Sequence, residues 1–289
     1  MGNKLIQPVM ASAIAAWCKI EWKGTDIEVK CITPLSAPVD GALCFANAAP
    51  TQTINEQVAL ISTSGAQSVA SCLLVTDRPR LTFAKALDAL QRNVGFLKSI
   101  TPPQIDPTAQ ISPQAFLGAG VVIGARTVVL PFAYIGEGTI IGEDCVIKSG
   151  AVIGQDGFGF ERDENNLPLR LVHLGGVIIG NNVEVGCGTT VCRGTIGNTI
   201  LHDYCKIDDH VHIAHNVVVG AGAMVIACAE VSGGVNIGAG AWVGPNASII
   251  QKISIGENSL VGIAANVIKN VPAGVVVAGN PAKIIASQN

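Results

Sequence analysis

An aliphatic residue recurs at every sixth position from Ile207 to Val267, and this register never slips. The same spacing runs from Ile105 to Ile153 and resumes at Ile179. A period of six matches neither the periodicity of an amphipathic helix nor the alternation of a half-buried strand. Fixed self-similarity indicates a repeat architecture. We therefore predict a three-sided parallel solenoid, in which residues about eighteen apart stack on one another and each coil buries its apolar row against its neighbours.

Small residues follow many of these aliphatic positions, as in Val219-Gly220 and Ile237-Gly238. We expect the aliphatic side chain to point into the prism. The small residue or an asparagine should then occupy the corner, where the backbone needs a positive φ.

The chain divides into three regions by this pattern. Residues 1–100 contain no hexad and are expected to form a small α/β domain, with strands at 58–62 and 71–75 and a helix beginning at Pro79. Residues 101–271 should form the β-helix, from which residues 155–175 leave as a long loop, and residues 272–289 form a tail. Long loops on rigid scaffolds are frequent sites of function.

Composition excludes several classes of protein. The net charge of −3 provides no basic field for nucleic acid. Hydrophobic residues make up 49% and charged residues 13%, which fits a solenoid whose faces are partly covered by other subunits. The nine cysteines form no CxxC pair, which favours free thiols in a reducing cytoplasm. The apolar run from Pro8 to Cys18 is too short for a membrane span, so none is expected.

All five histidines lie between His173 and His215, and this clustering indicates a site. His215 is the candidate general base, because it follows the core position Ile213 by two residues and an imidazole titrates near neutral pH. Asn216 or Asp209 could orient its ring. Eighteen residues later, Gly233 should lie one coil above His215, where its backbone N–H could hold an oxyanion.

Several strings resemble one known family. They are Gly157-Phe-Gly-Phe160, the segment His173 to Gly180, Arg193-Gly194, and Val211-His-Ile-Ala-His-Asn-Val-Val-Val-Gly220. Together they are similar to the UDP-3-O-acylglucosamine N-acyltransferases of lipid A biosynthesis, which belong to the hexapeptide-repeat acyltransferases. The resemblance implies a mainly β fold, with a left-handed parallel β-helix preceded by a small α/β domain that contributes to nucleotide binding. It also implies a homotrimer with each site between two subunits.

The resemblance assigns roles to individual residues. His215 matches the catalytic histidine and Gly233 the oxyanion donor. The residues expected to contact the nucleotide sugar are Phe45, Asn47, Phe158, Gly159, Phe160, His173, His210 and His212. The tail is instead similar to that of coenzyme-A-dependent hexapeptide acetyltransferases, so Pro281 and Lys283 are expected near the acyl donor, and Gly234, beside the oxyanion donor, is expected there as well.

The implied activity is transfer of an acyl group from acyl-CoA or acyl carrier protein to the amine of a UDP- or dTDP-linked amino sugar, for lipid A or a surface polysaccharide. No metal and no permanently bound cofactor are expected. Three alternatives stay open at this point: an O-acyltransferase of the same fold, a γ-class carbonic anhydrase with zinc on His173, His210 and His215, and a scaffold without catalytic activity.

Overall fold

The computed structural model describes residues 3–54, 56–66 and 69–287, which form two compact units. The N-terminal unit contains the chain up to Lys98 together with Phe158–Leu174 and Thr195–Gly197. The solenoid unit contains Ser99–Gly157, Gly175–Gly194 and the chain from Asn198. Within the described residues, no helix has the length and apolar character required to cross a membrane.

The N-terminal unit is an α/β domain with the elements β1 (Lys4–Met10), α1 (Ala11–Cys18), β2 (Glu21–Gly24), β3 (Glu28–Ile32), β4 (Ala42–Phe45), β5 (Ala59–Ser62), a 3-10 turn (Ser64–Ala66), β6 (Cys72–Val75) and α2 (Pro79–Asn93). Its six strands form one sheet in the order β1-β3-β4-β5-β6-β2, in which β3 to β6 run parallel and β1 and β2 pair antiparallel at the edges. The two strands and the helix expected from the sequence are confirmed.

Helix α2 begins at Pro79, where the missing N–H costs nothing because no intrahelical acceptor is available. Leu81, Phe83, Leu87 and Leu90 fall on its buried face. This face packs with the buried residues of α1 and of the parallel strands, which gives the unit a core of its own.

The loop at 155–175 corrects the expected domain division, because residues 158–174 group with the N-terminal unit and not with the β-helix. An antiparallel hairpin, Phe160–Arg162 with Pro168–Arg170, lies within it. Charged contacts join this hairpin to α2 and the residue before it: Arg80 Nε lies 2.6 Å from Glu161, and the Arg78 guanidinium donates to the Arg162 carbonyl at 2.8 Å. Leu174 is buried in the core of the same unit.

The solenoid has three faces, each a parallel sheet. The strands of the first face are Gln104–Ile105, Val122–Ile123, Ile140–Ile141, Val177–Ile179, Thr199–Leu201, Val218–Val219, Asn236–Ile237 and Ser254–Ile255. Those of the second face are Gln110–Ile111, Val128–Val129, Val146–Ile147, Glu184–Val185, Lys206–Ile207, Met224–Val225, Trp242–Val243, Leu260–Val261 and Val275–Ala278, followed by the antiparallel strand Lys283–Ser287. Those of the third face are Phe116–Leu117, Tyr134–Ile135, Val152–Asp156, Thr190–Arg193, His212–Ile213, Glu230–Val231, Ser248–Ile249 and Asn266–Val267.

The aliphatic row forms the interior of this prism. Ile213 stacks on Val231 and Val231 on Ile249, in register and eighteen residues apart. All three are fully buried. The long loop is inserted without loss of register, because Ile141 pairs with Ile179. The predicted fold class, a mainly β parallel β-helix preceded by a small α/β domain, is confirmed.

The corners correct one detail of the expectation. The residue directly after the aliphatic position is small because the next coil lies against it: a Cβ on Gly238 would be 2.5 Å from the backbone nitrogen of Glu257. Positive φ occurs two residues later, and residues other than Gly and Asn adopt it, including Tyr204 (φ 64°) and Lys252 (φ 62°).

The expectation that residues 272–289 form a separate tail is also corrected. Val275–Ala278 adds another parallel strand to the second face by pairing with Leu260–Val261, and Lys283–Ser287 then turns back against it. Through residue 287 this segment is therefore part of the solenoid sheet.

The nine cysteines are free, and their environments differ. Burial raises the pKa of the Cys205 thiol to about 12, whereas Cys228 is exposed at a corner. The thiolate is the reactive form. We expect iodoacetamide at neutral pH to label Cys228 in the folded protein and Cys205 only after denaturation, as read by peptide mass spectrometry. Equal labelling of the two thiols in the folded protein would contradict this solenoid interior.

Candidate active site at the third corner of the solenoid

His215 lies at the third corner, which is the turn from the third face back to the first. The strand His212–Ile213 leads into it, with Ile213 buried in the prism, and Asn216 makes the turn with a φ of 61°. The half-buried imidazole of His215 is thus carried by a short, rigid segment. This placement agrees with the position expected from the six-residue spacing.

Asn216 fixes the orientation of this ring. The Nδ1 atom of His215 lies 3.1 Å from Oδ1 of Asn216, and the backbone N–H of Asn216 donates to Oγ1 of Thr199 at 2.9 Å. An amide oxygen can only accept, so the contact favours the tautomer with the proton on Nδ1. Nε2 then carries the lone pair, which is the form that a general base needs.

Gly233 lies against the face of the same imidazole. A Cβ built on Gly233 would be 2.7 Å from both Cε1 and Nε2 of His215. Only glycine therefore permits the ring to occupy this position. The stacking expected from the eighteen-residue separation is present, and it brings a backbone amide and a histidine together at one corner.

The N–H of Gly233 differs from the equivalent amides at some corners, whereas others, such as those of Ala239 and Gln251, likewise meet no acceptor among the described residues. Side chains one coil above accept from the N–H of Cys187 (Asp209, 2.7 Å) and from the N–H of Asn181 (Asp203, 2.7 Å). For the Gly233 N–H, the described residues supply no acceptor. A donor beside an imidazole can stabilise a developing oxyanion.

Two cationic residues to which the sequence assigned no role border this corner. Arg193 occupies the equivalent position one coil below His215, and its guanidinium donates to the Gly175 carbonyl at 2.8 Å. Lys252 lies one coil above Gly234, where its Cγ would be 3.5 Å from a Cβ on that glycine. The eighteen-residue step that links His215 to Gly233 also links Gly234 to Lys252, so the signal was present in the sequence.

The structure does not bring Asp209 to His215, which corrects one of the two expected orienting residues. Asp209 and His210 lie at the second corner, where the Asp209 carboxylate accepts from Cys187. His210 is exposed and lies over Gly188, with Nδ1 2.8 Å from where a Cβ would be. His212 points outward from the third face and forms a 2.7 Å hydrogen bond with Thr190.

The loop residues expected to contact substrate differ among themselves. Phe158 is 90% exposed, and Phe160 lies beneath the Arg170 guanidinium at 4.6 Å. His173 is only 5% exposed, and its Nδ1 lies 2.9 Å from the Leu171 carbonyl oxygen. Gly159 gives room to this ring, because a Cβ there would be 2.8 Å from Cε1 of His173. The expectation that His173 faces the sugar is therefore corrected: the imidazole supports the loop from inside.

Phe45 and Asn47 lie where β4 ends. The carboxyl ends of parallel strands meet at one edge of a sheet, which is a common position for ligands. The Phe45 ring is half-buried and stacks on Phe83 with centroids 4.4 Å apart, and Asn47 is exposed. A cavity of about 490 Å³ in the same unit is lined by Lys19, Arg78 and Lys85 and also by the carboxylates of Asp77 and Glu164, the latter paired with Lys85.

Pro281 and Lys283 do not lie near His215 within one chain. Both residues are exposed and follow the strand Val275–Ala278. On the second face, this strand lies four strands above the one in the coil of His215. With about 4.8 Å between neighbouring strands, this separation is roughly 19 Å along the solenoid axis. Gly234 (φ 71°) is the one expected donor-binding residue that lies at the third corner.

The zinc-enzyme alternative requires three histidines to converge. His210 and His215 instead occupy different corners of the solenoid. In the described parts of the chain, no three His, Cys, Asp or Glu side chains group closely enough to hold a metal ion.

Comparisons with known proteins agree with this architecture. The family model described as bacterial transferase hexapeptide (six repeats) matches residues 120–155. A solved structure of a UDP-N-acetylglucosamine acyltransferase from Bacteroides fragilis aligns with a TM-score of 0.50 at 22% identity, covering 64% of this chain and 73% of that one. This likeness concerns the fold.

Two curated relatives extend the comparison to the sequence. The UDP-3-O-acylglucosamine N-acyltransferase of Rickettsia massiliae (strain Mtu5) is 58% identical over 130 residues, which is 45% of this chain and 37% of that protein. The UDP-3-O-acylglucosamine N-acyltransferase 2 of Legionella pneumophila (strain Paris) is 47% identical over 81 residues, 28% of this chain and 23% of that protein. The matches thus cover less than two fifths of these relatives. The resemblance expected from the sequence is confirmed: part of the chain is similar to the UDP-3-O-acylglucosamine N-acyltransferases, and residues 120–155 match the hexapeptide model.

Proposed function

We propose that this chain is an N-acyltransferase that moves an acyl group from a thioester to the amine of a nucleotide-linked amino sugar. The observation that carries the proposal is the contact between the His215 imidazole and Gly233, whose N–H lies at the same corner. A base and an oxyanion donor side by side are the two groups that acyl transfer to an amine requires. The names of the curated relatives supply the substrate class.

The first step is attack of the amine nitrogen on the thioester carbonyl carbon. A C–N bond forms, the carbonyl electrons move to oxygen, and Nε2 of His215 takes a proton from the nitrogen. The Gly233 N–H donates to the new oxyanion, and a donor of this kind contributes about 3 kcal/mol to the transition state. Arg193, one coil below His215, and Lys252, one coil above Gly234, add positive charge near this corner.

The second step is collapse of the tetrahedral intermediate. The oxyanion re-forms the carbonyl, the C–S bond breaks, and the imidazolium of His215 returns its proton to the departing thiolate. An amide and a free thiol are the products, and the histidine regains its starting tautomer. Asn216 holds the ring through both proton transfers by its contact with Nδ1.

The N-terminal unit is proposed to bind the nucleotide. Phe45 presents an aromatic ring at the carboxyl edge of the parallel strands, and Asn47 adds an exposed amide. One face of the Phe45 ring is against Phe83, so a base would stack on the other. A UDP-linked acylglucosamine is the first acceptor to test, and a dTDP-linked amino sugar is the second.

The assembly proposed by resemblance is a homotrimer, which light scattering would test directly. A monomer would remove the inter-subunit site.

A cytoplasmic location is also proposed, and the nine free cysteines support it. Neither a metal nor a resident cofactor has a role in the two steps above. Acyl-CoA or acyl carrier protein enters as co-substrate.

The test is incubation of the purified protein with two acceptors and two donors, followed by mass spectrometry. The acceptors are UDP-linked 3-O-acylglucosamine and a set of dTDP-linked amino sugars. The donors are hydroxyacyl chains on acyl carrier protein and short acyl chains on coenzyme A. A product heavier by one acyl group is expected, together with one equivalent of thiol.

The type of bond in the product, amide or ester, distinguishes an N-acyltransferase from an O-acyltransferase. An amide resists alkaline hydroxylamine, whereas oxygen esters, including one made by an O-acyltransferase, are cleaved by it. The absence of any acylated product from folded protein with every pair would refute the proposed activity and favour the scaffold alternative.

Asn216 provides a prediction for the orientation of the base. Asn216→Gly keeps the left-handed turn and removes the oxygen that contacts Nδ1. Loss of one hydrogen bond of about 1 kcal/mol predicts a fall in kcat of about fivefold. Asn182→Gly is the matched control, because Asn182 also turns a corner (φ 57°) away from His215. A kcat equal to that of the control would contradict an orienting role.

A further inference from the structure

The turn that carries the oxyanion donor contains two consecutive glycines. Gly233 is required by the approach of His215, and Gly234 has a φ of 71°. The same corner one coil below reads Ala214-His215-Asn216, and one coil above it reads Ile250-Gln251-Lys252. Glycine increases the conformational freedom of a backbone. The room made for the imidazole therefore loosens the peptide that must hold the oxyanion.

Backbone hydrogen bonds restrain this turn unevenly. The N–H of Gly234 donates to the His215 carbonyl at 2.9 Å, and the N–H of Lys252 donates to the Gly233 carbonyl at 3.0 Å. The Gly233 N–H belongs to the preceding peptide unit, between Ser232 and Gly233. The carbonyl of that unit accepts only a long bond of 3.4 Å from Val235. The peptide that carries the donor is thus less restrained than the Gly233–Gly234 peptide that follows it, both of whose polar atoms are bonded.

The side chain of Ser232, which precedes the two glycines, forms hydrogen bonds with Glu230. Its hydroxyl lies 3.1 Å from each carboxylate oxygen of Glu230. Glu230 belongs to the strand Glu230–Val231, which is paired in register on both sides. A hydrogen bond to an ionised acceptor is stronger than a neutral one. The tether therefore links the loose turn to a rigid part of the sheet.

The choice of a carboxylate is informative. Negative charge near a developing oxyanion is unfavourable, so a general electrostatic role for Glu230 would oppose the reaction. The hydroxyl of Ser232 instead donates between both oxygens of this carboxylate, so the carboxylate fixes the position of the Ser232 side chain. The outward neighbour one coil below, His212, bonds instead to Thr190.

We infer that Glu230 and Ser232 are positioning residues that hold the Ser232–Gly233 peptide so that the Gly233 N–H points at the oxyanion. This inference rests on the proposed function, because it assigns a purpose to a donor that acyl transfer uses. It adds two residues to the site that neither touch the reacting atoms nor follow from the sequence pattern.

The test compares four variants by steady-state kinetics: Ser232→Ala, Glu230→Ala, Glu230→Gln and the double alanine variant. Ser232→Ala and Glu230→Ala should each lower kcat about tenfold with KM within about twofold, since the donor acts in the transition state. Glu230→Gln keeps an acceptor oxygen and should retain most of the activity. The double variant should be no worse than either single one, because both remove the same tether.

Glu184→Ala is the matched control. Glu184 holds the same outward position in a second-face strand, and its carboxylate pairs with Lys148 at 2.6 Å. Its removal should leave kcat unchanged. Unchanged kcat in Ser232→Ala and Glu230→Ala would overturn the inference. A rise in KM without a fall in kcat would also overturn it, because Glu230 would then contact the substrate.

A crystal structure of Ser232→Ala separates this inference from the proposed function. We expect the Ser232–Gly233 peptide to rotate or lose defined density, while the Glu184→Ala variant keeps it in place. A peptide unchanged in the Ser232→Ala crystal would overturn the inference even if the wild-type protein acylates no substrate. Inactive wild-type protein with a displaced peptide would refute the proposed function alone.

Discussion

Gly233→Ala should lower kcat of acyl transfer by about 100-fold or more, because the added methyl group and the His215 imidazole cannot both occupy the corner. The new Cβ would be 2.7 Å from Cε1 and Nε2, well inside van der Waals contact. The ring must then leave its position beside the Asn216 oxygen, or the turn must open and move the N–H. Either movement separates the base from the oxyanion donor, and errors of about 1 Å have effects of this size.

The fold should survive this substitution, because Gly233 is at a partly exposed corner and its φ is not in the left-handed region. The melting temperature of Gly233→Ala should therefore stay close to that of the wild type. Gly65→Ala is the control, since a Cβ on Gly65 would lie an ordinary 3.5 Å from its nearest neighbour. Undiminished kcat in folded Gly233→Ala would mean that the contact has no part in the reaction.

His215→Ala should lower kcat by about 100- to 10,000-fold, the range that a positioned general base contributes. The loss should appear in kcat, since the imidazole acts on the proton of the attacking nitrogen. His202→Ala is the matched control, because His202 is exposed at the first corner of the same coil. Circular dichroism of both variants should match the wild type.

A His215→Ala protein with wild-type kcat would refute the role of this base. A fall restricted to kcat/KM through a raised KM would indicate that His215 binds the acceptor and leaves its proton to solvent. Either result would leave the solenoid unaffected, because the His215 side chain contributes nothing to the interior row of aliphatic residues.

The six-residue spacing predicted the solenoid, and the approach of Gly233 to His215, with little further information. Each aliphatic position specifies an inward side chain, so the stacking of Ile213, Val231 and Ile249 follows from arithmetic alone. The same arithmetic placed Gly233 above His215. It also contained Lys252 above Gly234, which was overlooked because a lysine at a corner resembles any solvated surface charge.

Other features depend on contacts that no period encodes. The hairpin at 160–170 joins the N-terminal unit through Arg80 and Glu161, residues about eighty positions apart in the sequence. The burial of His173 depends on its fit beneath Gly159. Asp209 is close to His215 in sequence, yet the third face of the prism lies between their corners, and the Asp209 carboxylate accepts from the N–H of Cys187. Sequence proximity was misleading there because each six residues turn the chain onto a new face.

The tail shows a different limit. Its sequence is similar to that of coenzyme-A-dependent acetyltransferases, and this similarity suggested a place near the acyl donor. The structure makes Val275–Ala278 the next strand of the second face, so the resemblance of a short segment did not determine its distance from the site.

The most direct measurement is a crystal structure of the protein with the acylated nucleotide sugar, the product of the proposed reaction. We expect the amide nitrogen to lie about 2.7–3.2 Å from Nε2 of His215. The amide carbonyl oxygen should lie within a similar distance of the Gly233 nitrogen. A product bound with its amide at another corner, away from both atoms, would contradict the assignment of the active site.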